Sequence, residues 1–162
     1  MAPRYVAAVG PSAASASELE HARAVGRLLA EAGCVVVTGG GDGVMGAAAT
    51  GATAAGGTAV GLLPGLDREA GHPAHTVLVA TGLGELRNGL VVRAADAVIA
   101  VGGSWGTASE IALAVRTGVP VVVLAGWPLP GAPAPDPAAA PVAATTPEDA
   151  VAQALDRARR SG

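Results

Sequence analysis

Short apolar runs alternate with helix-like segments along the chain, and this alternation limits the folds that the chain can adopt. The runs predict strands at 5–9, 34–38, 58–63, 76–80, 96–101 and 120–124. The segments between them predict helices at 17–32, 44–55, 83–95 and 107–117, and a last helix begins near Thr146. Repeats of strand, helix and strand form parallel sheets with helices on both faces. We therefore expect a Rossmann-like, doubly wound α/β fold with about six or seven mostly parallel strands.

The composition agrees with a core built from small aliphatic side chains. Of the 162 residues, 51% are hydrophobic, yet only 2% are aromatic and Phe is absent. A chain of this length suits one core, so we expect residues 1–162 to form a single domain. The segment at 127–141, rich in Pro and Ala, is predicted to be a surface loop.

The basic residues exclude several kinds of chemistry. All ten of them are Arg, because the chain contains no Lys. A Schiff-base lysine, as in pyridoxal-phosphate enzymes, and the lysine of a P-loop are therefore absent. The net charge of −3 also argues against a nucleic-acid-binding protein that uses a broad basic face.

Neither a metal site nor a membrane segment is predicted. Cys34 is the only cysteine, and His21, His72 and His75 lack the spacing of metal ligands. We interpret the three histidines as surface residues. The apolar run at the start is too short for a signal peptide, and no run reaches the length of a bilayer span. We expect a soluble, cytoplasmic protein.

A glycine-rich segment follows the second predicted strand. Residues 39–46 read GGGDGVMG, and glycine lets a ligand approach the backbone closely. The next helix would offer its first amide groups to an anion. We predict that five residues here contact a nucleotide: Gly40, Gly41, Gly43, Val44 and Met45. The alternative interpretation is a tight strand–helix turn that needs small residues for packing.

A second glycine-rich segment follows the strand at 96–101. Residues 102–110 read GGSWGTASE, and backbone amides with two hydroxyl groups suit a phosphate. The predicted phosphate-binding residues are Gly103, Ser104, Trp105, Gly106 and Thr107. Two such turns indicate a nucleotide held at both ends. Glu110 either faces that ligand or forms a capping box with Thr107.

Arg87 is the candidate cation of the site. An Arg at the start of a helix lies at the positive end of the helix dipole. It therefore needs a negative partner, either a carboxylate or a phosphate. Arg93, six residues further on, is as well explained as a solvated surface residue.

These residues together resemble the LOG-like family of Rossmann-type nucleotide-binding proteins, formerly labelled "possible lysine decarboxylase". That family has GGG-x-x-G-x-M-G after an early strand, then an Arg-Lys pair, then P-G-G-x-G-T-x-x-E after a later strand. Residues 39–46 match the first motif, residues 103–110 match the second, and Arg87 has the spacing of the family's catalytic Arg.

Three positions depart from the family pattern. Gly102 replaces the Pro of the second motif, Ser104 replaces its second Gly, and Asn88 replaces the Lys that follows the Arg. With these changes the chain is similar to a sub-branch of short proteins that also resembles molybdenum-cofactor carrier proteins.

The resemblance implies hydrolysis of the N-glycosidic bond of a cytokinin riboside 5′-monophosphate, which gives the free base and ribose 5-phosphate. The turn at 102–107 would hold the 5′-phosphate, and the turn around 41–45 would shape the nucleoside side. Glu110 and Arg87 would be the catalytic pair, with no metal or other cofactor. A homodimer or higher homo-oligomer formed by helices near the site is also implied. The resemblance does not imply lysine decarboxylation, because the chain has no Lys that such an enzyme would use.

Other functions remain open from the sequence. A nucleotide or molybdenum-cofactor (pterin) carrier would use the same turns without turnover. A dehydrogenase is a weaker alternative, because residues 41–46 fit G-x-G-x-x-G but follow the second strand rather than the first. We expect a phosphorylated small molecule as the partner, with no nucleic acid and no membrane.

Overall fold

The computed structural model describes residues 2–128 and 133–160. In these residues, seven strands form one sheet in which every neighbouring pair is parallel. The strands are β1 (Tyr5–Val9), β2 (Val35–Thr38), β3 (Thr58–Leu63), β4 (Val77–Ala80), β5 (Ala97–Val101), β6 (Val121–Leu124) and β7 (Val142–Ala144). Their order in the sheet is β4-β3-β2-β1-β5-β6-β7. The predicted parallel α/β fold is confirmed.

Helices cover both faces of the sheet, as expected for a doubly wound fold. They are α1 (Ala16–Glu31), α2 (Val44–Ala54), α3 (Arg87–Arg93), α4 (Trp105–Thr117) and α5 (Pro147–Arg160). The first, second and fifth pack on one face, and the third and fourth pack on the other. Short 3₁₀ helices lie at Arg68–Ala70, Gly84–Leu86 and Pro137–Ala139.

The central strands are buried on both faces, so their sequences do not alternate between apolar and polar residues. In β1, Val6 and Ala8 pack toward α1 and α2, while Ala7 and Val9 pack toward α3 and α4. All five residues of β5 are buried. A parallel sheet with both faces covered requires such continuous apolar runs.

The strand order creates a crevice at the carboxyl end of β1. The chain passes from β1 outward to β4 and then returns to place β5 on the other side of β1. Ligands of doubly wound folds bind where the strand order reverses in this way. The two glycine-rich turns follow β2 and β5, so they flank this point.

Two predicted helices differ at their starts. The helix predicted from residue 83 begins only at Arg87, because Gly82 and Gly84 have φ values of +66° and +59°, which a right-handed helix does not allow. The helix predicted from residue 107 begins at Trp105, because Ser104 is its N-cap.

The region after β6 also differs from the sequence prediction. The strand β7 was not predicted, and a 3₁₀ helix at Pro137–Ala139 interrupts the predicted loop at 127–141. Residues 129–132 of that loop lie outside the described part of the chain. Within the described ranges, no helix has the length and apolarity needed to cross a membrane, and no group of three or more His, Cys, Asp or Glu side chains could hold a metal ion.

Candidate functional site

The turn between β5 and α4 presents backbone amides at a helix start. The Ser104 hydroxyl accepts a hydrogen bond from the Thr107 amide at 3.1 Å, and the two hydroxyl oxygens lie 2.9 Å apart. The amides of Trp105 and Gly106 belong to the first helical turn, where no intrahelical acceptor exists. These amides and the positive end of α4 form a site suited to an anion. Ser104 caps the helix, so the alternative of a Thr107–Glu110 capping box is wrong.

Glu110 instead faces Arg87 across the gap between α4 and α3. Glu110 Oε1 lies 3.9 Å from Arg87 Nη1, and the two side chains are only 8% and 15% exposed. Burial raises the pKa of Glu110 to about 7, although the Arg87 guanidinium acts to lower it. Near neutral pH this carboxyl therefore exchanges a proton readily, which is a property of general acids and bases.

Arg87 connects the two glycine-rich turns. A Cβ added at Gly39 would lie 2.9 Å from Cζ and Nη2 of Arg87, so the guanidinium rests against the turn after β2. Its Nη1 donates to Asn88 Oδ1, and Asn88 Nδ2 donates to Ser109 Oγ on α4 at 3.3 Å. The Arg87 Nε is buried and donates to no atom of the described residues. A buried donor of this kind is costly unless a ligand satisfies it.

A buried network holds the turn after β2 in place. The Gly40 amide donates to Thr38 Oγ1 at 2.9 Å, and Thr38 Oγ1 lies 2.6 Å from His75 Nε2. His75 Nδ1 lies 2.9 Å from the His72 carbonyl oxygen, which can only accept. The neutral His75 ring therefore donates from Nδ1, and Thr38 donates to Nε2. The network fixes the backbone against which Arg87 packs.

The prediction that His75 lies on the surface is wrong. Its side chain is buried, and this burial lowers the pKa of the ring. His72 is partly buried and donates its amide to the Gly40 carbonyl at 2.9 Å. Thr38 and His75 are 37 residues apart, and no local pattern links them, so this pair could not be predicted from the sequence.

We expect His75→Gln to change how stability depends on pH. The unfolded ring protonates below its ordinary pKa of about 6.5, whereas burial lowers the pKa in the folded state. The unfolded state then binds more protons, so His75 reduces the stability of the wild type as the pH falls through this range. At pH 7.5 the variant should lose about 1–3 kcal/mol, because the Thr38 hydroxyl loses its partner.

Urea unfolding at pH 7.5 and 5.5 measures this effect. The stability difference between wild type and His75→Gln should shrink at the lower pH, and His21→Gln on α1 is the control. A difference that stays constant with pH would contradict the buried neutral ring.

The residues of the glycine-rich turn after β2 differ in whether packing or ligand contact explains them. Val44 is fully buried and its amide donates to the Pro11 carbonyl at 3.1 Å. Gly43 has a φ of +66°, and a side chain there would collide with the Pro11 carbonyl. Both positions are thus explained by packing of the turn. Gly41, Gly43 and Met45 are partly exposed and Asp42 is exposed, whereas Gly40 and Val44 are buried and present no side chain to a ligand.

One residue of the site was missed from the sequence. Trp127, in the loop after β6, packs directly on Gly103, so no side chain fits at that glycine. Gly102 has a φ of +70°, and a Cβ there would collide with the Glu18 carboxylate. That carboxylate accepts from the Ser15 amide at 2.8 Å and belongs to the cap of α1. The motif glycines are therefore required by close packing as well as by backbone conformation.

Two open grooves adjoin the turn after β5. One, of about 780 Å³, lies between α3 and α4 and is lined by Leu86, Asn88 and Trp105 among others. The other, of about 350 Å³, lies beside the ends of β6 and β7 and is lined by Trp127. A groove of about 510 Å³ between α1 and α2 contains no residue of the candidate site.

Comparison with known proteins gives the family of this arrangement. The model of the SLOG cluster4 family matches residues 3–155. An uncharacterised protein of Archaeoglobus fulgidus is 40% identical over 100 residues, which span 62% of this chain and 66% of that protein, slightly less than two thirds of its length.

Solved structures agree with this match. The molybdenum cofactor binding protein from the phototrophic bacterium Rippkaea orientalis is 31% identical with a TM-score of 0.86, and the alignment covers 96% of this chain and 98% of that one. The molybdenum cofactor carrier protein MCP from Chlamydomonas reinhardtii is 29% identical with a TM-score of 0.84, and the alignment covers 98% of this chain and 99% of that one. DNA processing protein A from Helicobacter pylori, which binds single-stranded DNA, is 26% identical with a TM-score of 0.63. That alignment covers 75% of this chain and 65% of the other. The resemblance to LOG-like and molybdenum-cofactor carrier proteins is confirmed, and the chain belongs to the SLOG cluster4 family.

Proposed function

We propose that the protein binds a nucleoside 5′-monophosphate and hydrolyses its N-glycosidic bond, releasing the free base and ribose 5-phosphate. The observation that carries this proposal is the buried pair of Arg87 and Glu110 at the strand-order reversal, 3.9 Å apart. The pair joins a guanidinium whose Nε has no acceptor among the described residues to a carboxyl whose pKa is raised to about 7.

The phosphate of the ligand would lie at the start of α4. The amides of Trp105 and Gly106, in the first turn of α4, would donate to it, and the neighbouring hydroxyls of Ser104 and Thr107 would border it. Arg87 would approach from α3 and supply the positive charge, since its Nε has no acceptor among the described residues. Charge-assisted hydrogen bonds of this kind are the strong ones in phosphate recognition.

Glu110 would act on the sugar. In its ionised form it accepts a proton from water, and the water oxygen forms a bond to C1′. The C1′–N bond then breaks, its electron pair goes to the base, and the base takes up a proton from solvent. The negative charge also stabilises the positive charge that develops at C1′. A pKa of about 7 suits a general base at neutral pH.

A carrier function is the second candidate, and two observations favour it. The solved relatives that match over nearly the whole chain bind or carry the molybdenum cofactor. Asn88 stands where LOG-like enzymes have a Lys. Its Oδ1 accepts a hydrogen bond from Arg87 Nη1, so this part of the guanidinium already has a partner within the chain. A carrier would hold a phosphorylated pterin on the same turns and release it unchanged.

Direct assay of the free base separates the two functions. Purified protein is incubated with AMP or with a cytokinin riboside 5′-monophosphate, and the products are resolved by chromatography. Release of adenine or of the cytokinin base supports the hydrolase. Binding of AMP without release over many hours supports the carrier.

We propose a small phosphorylated molecule, rather than nucleic acid, as the partner. The net charge is −3 and the chain has no Lys, so a continuous basic surface for a phosphate backbone is not available from its composition. The likeness to DNA processing protein A covers 65% of that protein. A mobility-shift titration with single-stranded DNA tests this point, and micromolar binding at physiological salt would contradict it.

We expect the chain to form a homodimer or larger homo-oligomer through the face of α3 and β4. Large apolar side chains stay exposed there, with Leu86 at 78% exposure and Val77, Val79, Leu83 and Leu90 nearly half exposed. A second copy would remove this apolar surface from water. Light scattering at micromolar concentration should report at least a dimer, and Leu86→Glu should weaken it, whereas Ala152→Glu, at an exposed position of α5 on the opposite face of the sheet, is the control. A monomeric wild type would contradict this expectation.

A further inference from the structure

The scarce aromatic residues of this chain are concentrated beside the turn after β5. The sequence contains two Trp, one Tyr and no Phe. Trp105 is the first residue of α4, and Trp127 packs on Gly103 of the same turn. The core is filled by Val, Leu, Ile and Ala, so neither indole is used to fill the protein interior.

Both indoles remain accessible to solvent. Trp105 is 82% exposed and Trp127 is 42% exposed. An exposed indole leaves a large apolar surface in water, and such surfaces beside a polar site mark ligand contacts. Each Trp also lines an open groove, Trp105 between α3 and α4 and Trp127 beside the ends of β6 and β7.

The two rings touch in an edge-to-face arrangement. Their centroids are 5.3 Å apart and their planes meet at 80°. This spacing leaves no slot for a third ring between them, so a flat ligand would stack on an outer indole face. The preceding backbone is held in an unusual conformation, because Ala125 has a φ of +53°. Non-glycine residues adopt this region mostly where the surroundings require it, often at ligand sites.

We propose that Trp105 and Trp127 form a stacking subsite for a flat nitrogen heterocycle that carries one phosphate group. This inference rests on the proposed function, because the phosphate would be held by the amides of Trp105 and Gly106. The ring attached to that phosphate then has an indole within reach on the same turn. A purine nucleotide and a pterin phosphate share this chemistry. In this proposal Trp127, which lies outside both glycine-rich motifs, determines specificity for the ring of the ligand.

Intrinsic fluorescence is a direct probe, since these are the only two Trp residues of the chain. AMP, neopterin monophosphate and ribose 5-phosphate are titrated into the wild type, with calorimetry for the sugar phosphate because it carries no aromatic heterocycle. AMP or neopterin monophosphate should quench the indole emission and bind roughly tenfold or more tightly than ribose 5-phosphate, in keeping with stacking on aromatic side chains. Whichever of AMP and neopterin monophosphate binds more tightly shows whether the subsite prefers a purine or a pterin.

Substitutions then locate the effect. Trp127→Leu and Trp105→Leu should each lower the affinity for AMP or neopterin monophosphate about tenfold. The affinity for ribose 5-phosphate should change less than twofold. Trp127→Phe should retain most of the affinity, which separates stacking from misfolding. Leu66→Ala, at another exposed apolar residue, should leave every affinity unchanged.

Four results would overturn the subsite. Equal affinity for AMP, neopterin monophosphate and ribose 5-phosphate in the wild type would remove the inference while leaving the phosphate site. Equal loss for all three ligands in Trp127→Leu would reduce the indole to a structural role at the turn. Emission that changes with protein concentration and not with ligand would mean that a second copy covers the indoles. If none of the three ligands binds, the proposed function fails together with the subsite.

Discussion

Glu110→Gln is expected to abolish release of free base while leaving nucleotide binding intact. Glutamine keeps the shape of the side chain, but it cannot accept the proton of the attacking water. Removing a general base typically lowers the rate by about 10²–10⁴-fold. The readouts are free-base release under saturating AMP and AMP affinity by calorimetry. Full turnover in Glu110→Gln would end the catalytic role.

The pH profile gives a second readout of the same residue. Glu110 must be ionised to act as a base, so kcat/KM of the wild type should rise as the pH increases through about 7. Glu85→Gln, in the exposed 3₁₀ helix before α3, is the matched control and should preserve both the rate and the profile. A profile that stays flat between pH 5.5 and 8.5 would contradict a base of this pKa.

Stability should respond to Glu110→Gln in the opposite direction from activity. The pKa of Glu110 is about 7 in the folded state and 4.5 ordinarily. Protonation therefore stabilises the fold, and this contribution is lost as the pH rises through 7. At pH 8 the variant should be more stable than the wild type by up to about 3 kcal/mol. Chemical unfolding at pH 5 and pH 8 measures the difference.

Arg87→Ala is expected to weaken AMP binding by about 1.5–3 kcal/mol, or roughly 10- to 150-fold. The substitution removes the buried guanidinium that faces the site and leaves Glu110 without its ion-pair partner. Loss of a charge-assisted contact to phosphate should appear as a loss of affinity for every 5′-phosphorylated ligand. Calorimetric titration at fixed salt concentration gives the affinities.

Arg93→Ala is the control, because Arg93 lies on the same helix but is exposed at its end. Its AMP affinity should match that of the wild type. Unchanged affinity in Arg87→Ala would end the assignment of a phosphate site next to this residue.

Features that depend on local sequence were predictable. The glycine turns after β2 and β5 could be placed at the strand ends because runs of β-branched residues lead directly into them. Arg87 was identified because an Arg at a helix start needs an anion. Its meeting with Glu110 joins residues 23 positions apart, and it was expected only from the resemblance to LOG-like proteins.

Features that depend on contacts between distant segments were not predictable. His75 lies in a polar loop, and its burial comes from contacts with distant residues such as Thr38 of β2 and Gly61 of β3. Trp127 follows β6 in a Pro-rich stretch, and its role depends on the position of Gly103 in space. The edge strand β7 has three residues, too few for a periodic pattern to be recognised.

We propose that the start of α4 and Arg87 hold a 5′-phosphate, and a comparison of the affinities for AMP and adenosine tests this phosphate site. The two ligands differ only in the phosphate, so their difference in affinity for the wild type isolates that group. The arrangement of Arg87 beside the amides of Trp105 and Gly106 predicts that AMP binds at least about tenfold more tightly, as expected for charge-assisted hydrogen bonds. Equal affinity for AMP and adenosine would contradict a phosphate site at this turn.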